Sequence, residues 1–461
     1  MAKQANGSES SEKLLEWWQL SLIGVGCIIG TGYFLGSGLG IKMTGPSMFF
    51  GFIIAAIGTY VVFDALSKMY TKDPQKGSFR SYAKKAFGRW AGFSSGWVYW
   101  FSEMLIMGSQ LTALSIFTKF WFPNMSLWVF ASIYAVLGVI VVLTGTKGFE
   151  RMENMFAIIK IAAILMFIVL AGAGLFGVLD AGKEVFHTPK QVDEYFPAGF
   201  KGIWSALIFA FYAFGGIEIM GIMSVRLRNK NDAGKAGKIM ILLLTIIYLL
   251  SIGLAVTMVP WQNFNAKESP FVIAMDNYQL KFFPHIFNGA LIIAGFSTMT
   301  ASLFAVTSML VTLASDGDAP QLFAKKGRLK VPVFALLLTV SGLVTSIILA
   351  LVMPDSIYEY ITTAAGLMLL YNWLFVLMSV QKLITLTIWD HFKRLIGMVF
   401  ILLAITGTLF QDSIRPGFLV SIGFVVIIGI ISLIIHFRAK TKGGASTLPR
   451  PVFEKLVLKE K

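Results

Sequence analysis

Twelve long apolar segments follow one another along the chain, and short polar connections separate them. Each holds about 20 residues or more, which as a helix crosses a hydrocarbon core of roughly 30 Å. The period-two alternation typical of barrel strands is absent. The pattern therefore predicts an all-α integral membrane protein with twelve transmembrane helices, at about 17–41, 44–67, 91–117, 125–147, 153–178, 200–225, 236–260, 285–313, 331–353, 358–380, 393–411 and 416–437.

Composition supports a membrane location. Of the 461 residues, 56% are hydrophobic and 14% are charged, whereas a soluble domain carries about 25% charged residues. We expect one membrane domain over 17–437, with short cytoplasmic tails at 1–16 and 438–461.

The formal net charge of +15 is distributed unevenly. With the N-terminus in the cytoplasm, most of the 39 Lys and Arg residues fall on the cytoplasmic side, which is the positive-inside pattern. The basic loops at 68–89 and 325–330 are then topology signals, with anionic membrane lipid as a further partner. This distribution predicts two cytoplasmic termini in the cell membrane and argues against nucleic acid as a partner.

Glycine is concentrated in the first apolar segment, in the stretch GVGCIIGTGYFLGSG at 24–38. Each glycine weakens a helix by about 1 kcal/mol relative to alanine, and non-helical backbone at membrane depth is tolerated only where protein or a cavity covers it. The sixth segment carries a second interruption at Gly215–Gly216. Paired interruptions, each opening a block of five helices, predict a five-plus-five inverted repeat with a binding site near the midplane.

Close packing is an alternative explanation of the first glycine cluster. Gly26–Gly30, Gly32–Gly36 and Gly36–Gly40 have the Gly-x-x-x-Gly spacing that lets membrane helices approach each other. The second interruption, in the sixth segment, favours a binding site.

An opened helix offers two kinds of backbone group. Free N–H groups at the start of its second half attract an anion, and free carbonyls at the end of its first half attract a cation. An α-amino acid carries one group of each charge, so we expect the site to bind a zwitterion.

Several stretches resemble bacterial amino acid permeases of the amino acid–polyamine–organocation superfamily. The most specific are GCIIGTGYFLGSG (26–38) and YAFGGIEIMGI (212–222), with SPFVIAM (269–275) and DGDAPQLFAKKGRLKVPVFALLL (316–338) beside them. The resemblance covers nearly the whole membrane domain. It implies a twelve-helix transporter with discontinuous first and sixth helices that imports amino acids, commonly with protons.

The resemblance also implies roles for individual residues. The substrate carboxylate is received at Gly30, Thr31 and Gly32, and the ammonium by carbonyls near Ile28, Tyr212 and Gly215. Tyr212 stands at the position of a gating aromatic, and Phe209 is expected in the same substrate site. Lys160 falls near the position that sodium occupies in sodium-driven relatives.

Four charged side chains lie well inside predicted helices: Asp64, Glu103, Lys160 and Glu218. An unpaired charge at the bilayer centre costs at least about 2.5 kcal/mol, so such residues are functional candidates. We expect Lys160 to release and regain a proton during transport, with a static ion pair as the alternative. Glu218 is expected to accept hydrogen bonds from the opened sixth helix, with proton exchange as a second role.

Glu103 and Gln110 are seven residues apart and therefore share one face of the third helix. We expect both to line the pocket. Glu103 then takes part in proton coupling or favours a substrate with an extra positive charge; a buried, protonated carboxyl group is the alternative.

Asp64 and Lys68 are four residues apart and are expected to pair. Relatives carry the opposite charges here, and this chain has Arg226 where they carry an acid. We interpret these departures as altered ion pairs at an inner gate.

No catalytic or metal-binding spacing occurs among the four histidines, no ATP-binding motif is present, and Cys27 is the only cysteine. We therefore expect no enzyme, cofactor or metal. The sequence predicts a secondary transporter that imports amino acids, with proton symport and alternating access. An exchanger without net ion coupling and an amino-acid-binding membrane sensor are the alternatives.

Overall fold

Helices account for the regular structure of the chain. The computed structural model describes residues 15–75, 77–179, 191–224, 227–278, 280–325, 332–352 and 357–441. Within these ranges there is no strand, apart from an isolated bridge between Leu15 and Leu227.

Eighteen α-helices form within the described ranges, several of them short segments of interrupted or re-entrant chain. They are α1 (Trp17–Ile28), α2 (Thr31–Phe34), α3 (Gly36–Thr44), α4 (Met48–Lys72), α5 (Ser78–Phe87), α6 (Arg89–Lys119), α7 (Leu127–Leu143), α8 (Gly145–Leu175), α9 (Val192–Tyr195), α10 (Gly199–Tyr212), α11 (Ile217–Met223), α12 (Ala233–Met258), α13 (Pro270–Met275), α14 (Phe283–Ser315), α15 (Val333–Val352), α16 (Ile357–Leu383), α17 (Ile388–Gly407) and α18 (Arg415–Thr441).

Seven helical stretches in the described part of the chain are long and apolar enough to cross a membrane. The described chain also holds shorter apolar helices, and α6 is 31 residues long but carries many polar side chains. The protein is therefore a multi-pass, all-helical membrane protein. The exact number of twelve spans stays a prediction. The seven stretches are Thr31–Lys72, Met155–Leu175, Lys230–Met258, Phe283–Ser315, Ile357–Leu383, Ile388–Phe410 and Arg415–Ile435.

Both glycine-rich segments are interrupted at the predicted positions. α1 ends at Ile28 and α2 begins at Thr31, with Gly30 in an extended conformation between them. α10 ends at Tyr212 and α11 begins only at Ile217. Gly216 precedes α11 with φ of 112°, a conformation that residues with a Cβ rarely adopt.

α6 forms the centre of the fold, because it packs along both α14 and α16. α1 packs against α12 and α8, and α10 packs against α3, α4 and α17. This arrangement places the two interrupted segments close to the unbroken α6 and α14, which supply the opposite walls of the site described below.

A buried ion cluster joins α5 to the end of α14. The Arg80 side chain is fully buried and pairs with Asp316 and Asp318, and Arg89 Nε lies 3.0 Å from Asp318. The interpretation of this basic stretch as a topology signal and lipid contact did not predict these ion pairs, because the acidic partners lie more than 220 residues further along the chain.

We predict that Arg80→Met destabilises the protein by about 3–5 kcal/mol, because it removes the buried partner of the Asp318 carboxylate and leaves only the half-exposed Arg89 to balance its charge. Thermal unfolding of the purified protein in detergent measures the effect. Lys85→Met is the matched control, because Lys85 and Asp73 form an exposed pair that contributes at most about 1 kcal/mol. Equal stability of the two variants would contradict the prediction.

Candidate functional site

A cavity of about 50 Å³ lies where the two helix interruptions meet. α1 and α2 form one wall, the segment from Tyr212 to Gly216 forms a second, and α6 and α14 close the remaining sides. The lining residues are Cys27, Ile28, Gly30, Thr31, Gly32, Glu103, Ile106, Gln110, Tyr212, Gly215, Gly216, Thr298, Ala301 and Ser302.

Glycines of the first segment perform two different tasks. A Cβ on Gly30 would lie 2.7 Å from Thr298 Cγ2, and one on Gly32 would lie 2.8 Å from the Tyr212 ring, so both shape the cavity wall. A Cβ on Gly26 would instead lie 2.6 Å from the Ala157 Cβ on α8. The binding and packing explanations therefore apply to different glycines of the same stretch.

Two buried polar atoms at the cavity have no hydrogen-bond partner among the described residues. They are Thr31 Oγ1 and Gln110 Oε1, on residues that are 1% and 5% exposed. Buried polar atoms are nearly always satisfied. Since both residues line the cavity, these atoms are available to a polar ligand.

Lys160 binds the end of α1. Its side chain is fully buried, and Nζ donates a hydrogen bond of 2.9 Å to the carbonyl of Gly26. The last carbonyls of a helix lack intrahelical partners and form the negative end of its dipole. The Lys160 ammonium therefore stabilises α1 immediately before its interruption, without lining the cavity itself.

Glu218 binds the second interruption. Its carboxylate accepts the N–H of Gly216 at 3.1 Å and the indole N–H of the fully buried Trp373. On the other side of the gap, the Tyr248 hydroxyl donates to the Ala213 carbonyl at 2.9 Å. Side chains from α11 and α12 thus replace hydrogen bonds that an unbroken helix would make, and Trp373 of α16 holds the Glu218 carboxylate in place.

Tyr212 links the second interruption to α6. Its hydroxyl lies 2.7 Å from Ser109 Oγ, and its carbonyl accepts the N–H of Gly215 at 3.0 Å, which leaves one lone pair free. Phe209 was expected at the same site, but the structure does not place it there. It lies one turn earlier in α10 and is fully buried in the hydrophobic core.

Glu103 faces the cavity from α6. The residue is 3% exposed, and the hydroxyl groups of Tyr99 and Ser302 lie beside its carboxyl group. Ile106 and Gln110 continue the same helical face along the cavity wall. The lining residues, all within the described ranges, include no Lys, Arg or His.

Asp64 and Lys68 do pair, with Nζ and Oδ2 2.8 Å apart. Lys68 also contacts Asp390 of α17 at 2.6 Å, and Lys393 contacts both carboxylates. The pair therefore belongs to a four-residue ion cluster between α4 and α17, and its interpretation as part of an inner gate stays a prediction. Arg226, which belonged to the same interpretation, lies outside the described residues.

A second cavity, of about 550 Å³, lies at the ends of α3, α6, α15 and α16 that we expect to face outward. Tyr358 lines it and donates a hydrogen bond of 3.1 Å to the Thr31 carbonyl, so this residue touches both the cavity and the first interruption. Sequence analysis missed Tyr358, because a tyrosine at the start of a membrane helix is an ordinary interfacial residue.

The geometry defines a multi-pass membrane protein with a small polar site between two interrupted helices. Comparison with known proteins identifies its class, since residues 19–442 match the amino acid permease family. The chain belongs to this family and is a transporter of the amino acid–polyamine–organocation type, not an enzyme.

Three relatives align with this chain over nearly their full lengths. The uncharacterized transporter YcgH of Bacillus subtilis is 57% identical over 420 residues, which are 91% of this chain and 94% of YcgH. The aromatic amino acid transport protein AroP of Corynebacterium glutamicum is 30% identical, over 88% of this chain and 94% of AroP. The gamma-aminobutyric acid permease of Bacillus subtilis is 26% identical, over 96% of this chain and 98% of the permease.

We predict that Gly32→Ala reduces substrate binding, because the added methyl group presses on the Tyr212 ring. Overpacking costs about 1–3 kcal/mol, which corresponds to a loss of roughly 5- to 150-fold in affinity. Gly36→Ala is the matched control, since its Cβ would have only Tyr358 Oη nearby, at 3.7 Å. The two variants are compared by their uptake of labelled amino acids in proteoliposomes. A similar loss in both variants would favour a general packing role for these glycines.

Proposed function

We propose that this protein imports amino acids across the cytoplasmic membrane by proton symport with alternating access. The observation that carries the proposal is the meeting of two interrupted helices at one cavity, where the buried Thr31 hydroxyl has no partner among the described residues. Membership of the amino acid permease family supports the class of substrate.

The proposed substrate orientation follows from the backbone groups at the cavity. The carboxylate is received by Gly30, Thr31 and Gly32, where the first N–H groups of α2 and the Thr31 hydroxyl are available. The ammonium is received by carbonyls near Ile28 and Gly215, with the remaining lone pair of Tyr212 beside them. Backbone groups then recognise the part that all α-amino acids share.

Substrate entry has to widen the cavity. A cavity of about 50 Å³ is small for an amino acid. Tyr212 is the group proposed to move, because its ring contacts the α2 wall and its hydroxyl reaches across to α6. This movement is the proposed gating step of alternating access.

Lys160 is the proposed site of proton coupling. Protonated, its ammonium holds the Gly26 carbonyl; after proton loss, this charge no longer stabilises the end of α1. The position of the first interruption is thereby linked to the protonation of one side chain. Glu218 is proposed to keep the second interruption open and to be a secondary proton site.

We further propose the topology predicted by sequence: twelve spans over 17–437, a five-plus-five inverted repeat, and cytoplasmic tails at 1–16 and 438–461. The interruptions of the first and sixth segments, at corresponding positions in the two halves, support the repeat. The uneven distribution of basic residues supports the orientation.

The single cysteine makes the topology testable. In a Cys27→Ser background, we expect a membrane-impermeant maleimide to label Asp412→Cys in intact cells. Lys85→Cys should react only after the membrane is permeabilised, because α5 is expected on the cytoplasmic side. Both positions are exposed. Labelling of Lys85→Cys in intact cells would overturn the proposed orientation.

Proton coupling is tested in proteoliposomes with a panel of labelled amino acids and an imposed pH gradient. We expect inward proton flow, and not sodium, to drive accumulation by the wild type. Lys160→Arg should keep counterflow and lose gradient-driven accumulation, because arginine keeps its charge and does not release a proton. Lys160→Met tests the loss of the charge itself.

The same experiment separates the alternatives. Counterflow without accumulation in the wild type would identify an exchanger, and binding without flux would identify a sensor. Full gradient-driven accumulation by Lys160→Arg would place the proton site elsewhere.

A further inference from the structure

We propose that this carrier selects amino acids whose side chain ends in an ammonium group, and that Glu103 is the residue that selects them. The inference rests on the proposed function and assigns the substrate class of the same site. It is carried by the position of a buried carboxyl group in a cavity whose described wall holds no cationic side chain.

Glu103 has polar but no positively charged neighbours at the cavity. The hydroxyl groups of Tyr99 and Ser302 lie beside it, and Lys160, which binds the Gly26 carbonyl, is not a lining residue. A buried carboxylate is costly unless an opposite charge pairs with it. A substrate ammonium that enters the cavity supplies that charge.

The spacing along α14 indicates how long a substrate side chain must be to extend from the backbone groups at Gly30 to Glu103. Thr298 lies against Gly30, where the backbone groups proposed to hold the substrate begin. Ser302 lies beside Glu103. The two α14 residues are one turn apart, which is about 6 Å along the helix axis. This distance suits an unbranched side chain such as that of ornithine or lysine.

Gln110 gives the cavity a second acceptor on the same α6 face. Its Oε1 is buried without a partner among the described residues, and it lies two turns from Glu103, about 10 Å along the axis. Since the α-ammonium is proposed to bind the carbonyls near Ile28 and Gly215, the side-chain ammonium pairs with Glu103, and Gln110 Oε1 is a further acceptor for polar groups of the same bound substrate.

The charge on the side chain should therefore decide binding. L-Norleucine has nearly the shape of L-ornithine, with a methyl group in place of the ammonium, so it leaves Glu103 without a partner. L-Glutamate places a second negative charge next to it. From the usual strength of hydrogen bonds to charged groups, we expect ornithine to bind about ten- to a hundredfold more tightly than norleucine.

The test measures binding of tritiated L-ornithine to the purified, detergent-solubilised protein, with unlabelled ornithine, norleucine and glutamate as competitors. Glu103→Gln should reduce the preference for ornithine over norleucine at least tenfold, while affinity for norleucine stays the same or rises. Glu103→Asp keeps the charge and should retain the preference. Asp412→Asn, at an exposed position in the connection between α17 and α18, is the matched control and should bind as the wild type does.

Proteoliposome uptake of the same ligands separates this inference from the proposed function. Preferential ornithine binding without flux would overturn transport and leave the substrate class intact. Flux with equal preference for ornithine and norleucine, unchanged in Glu103→Gln, would overturn the substrate class and leave transport intact. Norleucine affinity in Glu103→Gln also reports whether that variant is folded.

Discussion

The need to satisfy every backbone polar group at membrane depth governs this structure. A membrane helix can be interrupted only where other groups replace its lost hydrogen bonds. Here three side chains from three different helices do so: Lys160, Glu218 and Tyr248. The backbone groups that these side chains leave free are those that can reach a ligand, so structural support and ligand recognition depend on the same few positions.

This constraint also explains which features the sequence could predict. The interruptions depend on local glycine patterns, and Gly216 even adopts a positive φ, so both could be located from sequence. The pairing of Asp64 with Lys68 was equally local. The partners that α17 supplies to this pair, and the acidic partners of Arg80, come from distant parts of the chain. No spacing along the sequence reveals such contacts.

The cavity wall shows the same difference between features set by local sequence and features set by distant contacts. The position of Glu103 and Gln110 on one face followed from helical periodicity, and both do line the cavity. Phe209 was expected in the same substrate site as Tyr212, which lies three residues further along α10. Its ring is fully buried in the core, since this helix is covered on several sides by α3, α4 and α17. Periodicity defines a face and does not say which neighbour covers it.

In the proposed mode of binding, recognition within the site is divided between two kinds of structure. The interrupted segments present backbone groups, which are the same whatever the sequence and suit the invariant part of an amino acid. α6 is continuous for 31 residues and presents side chains from a fixed face, held between α14 and α16. A change at Glu103 or Gln110 therefore alters the chemistry of one wall without disturbing the interruptions. On the proposed function, substrate preference can therefore vary on α6 while the hydrogen bond from Lys160 to the end of α1 is retained.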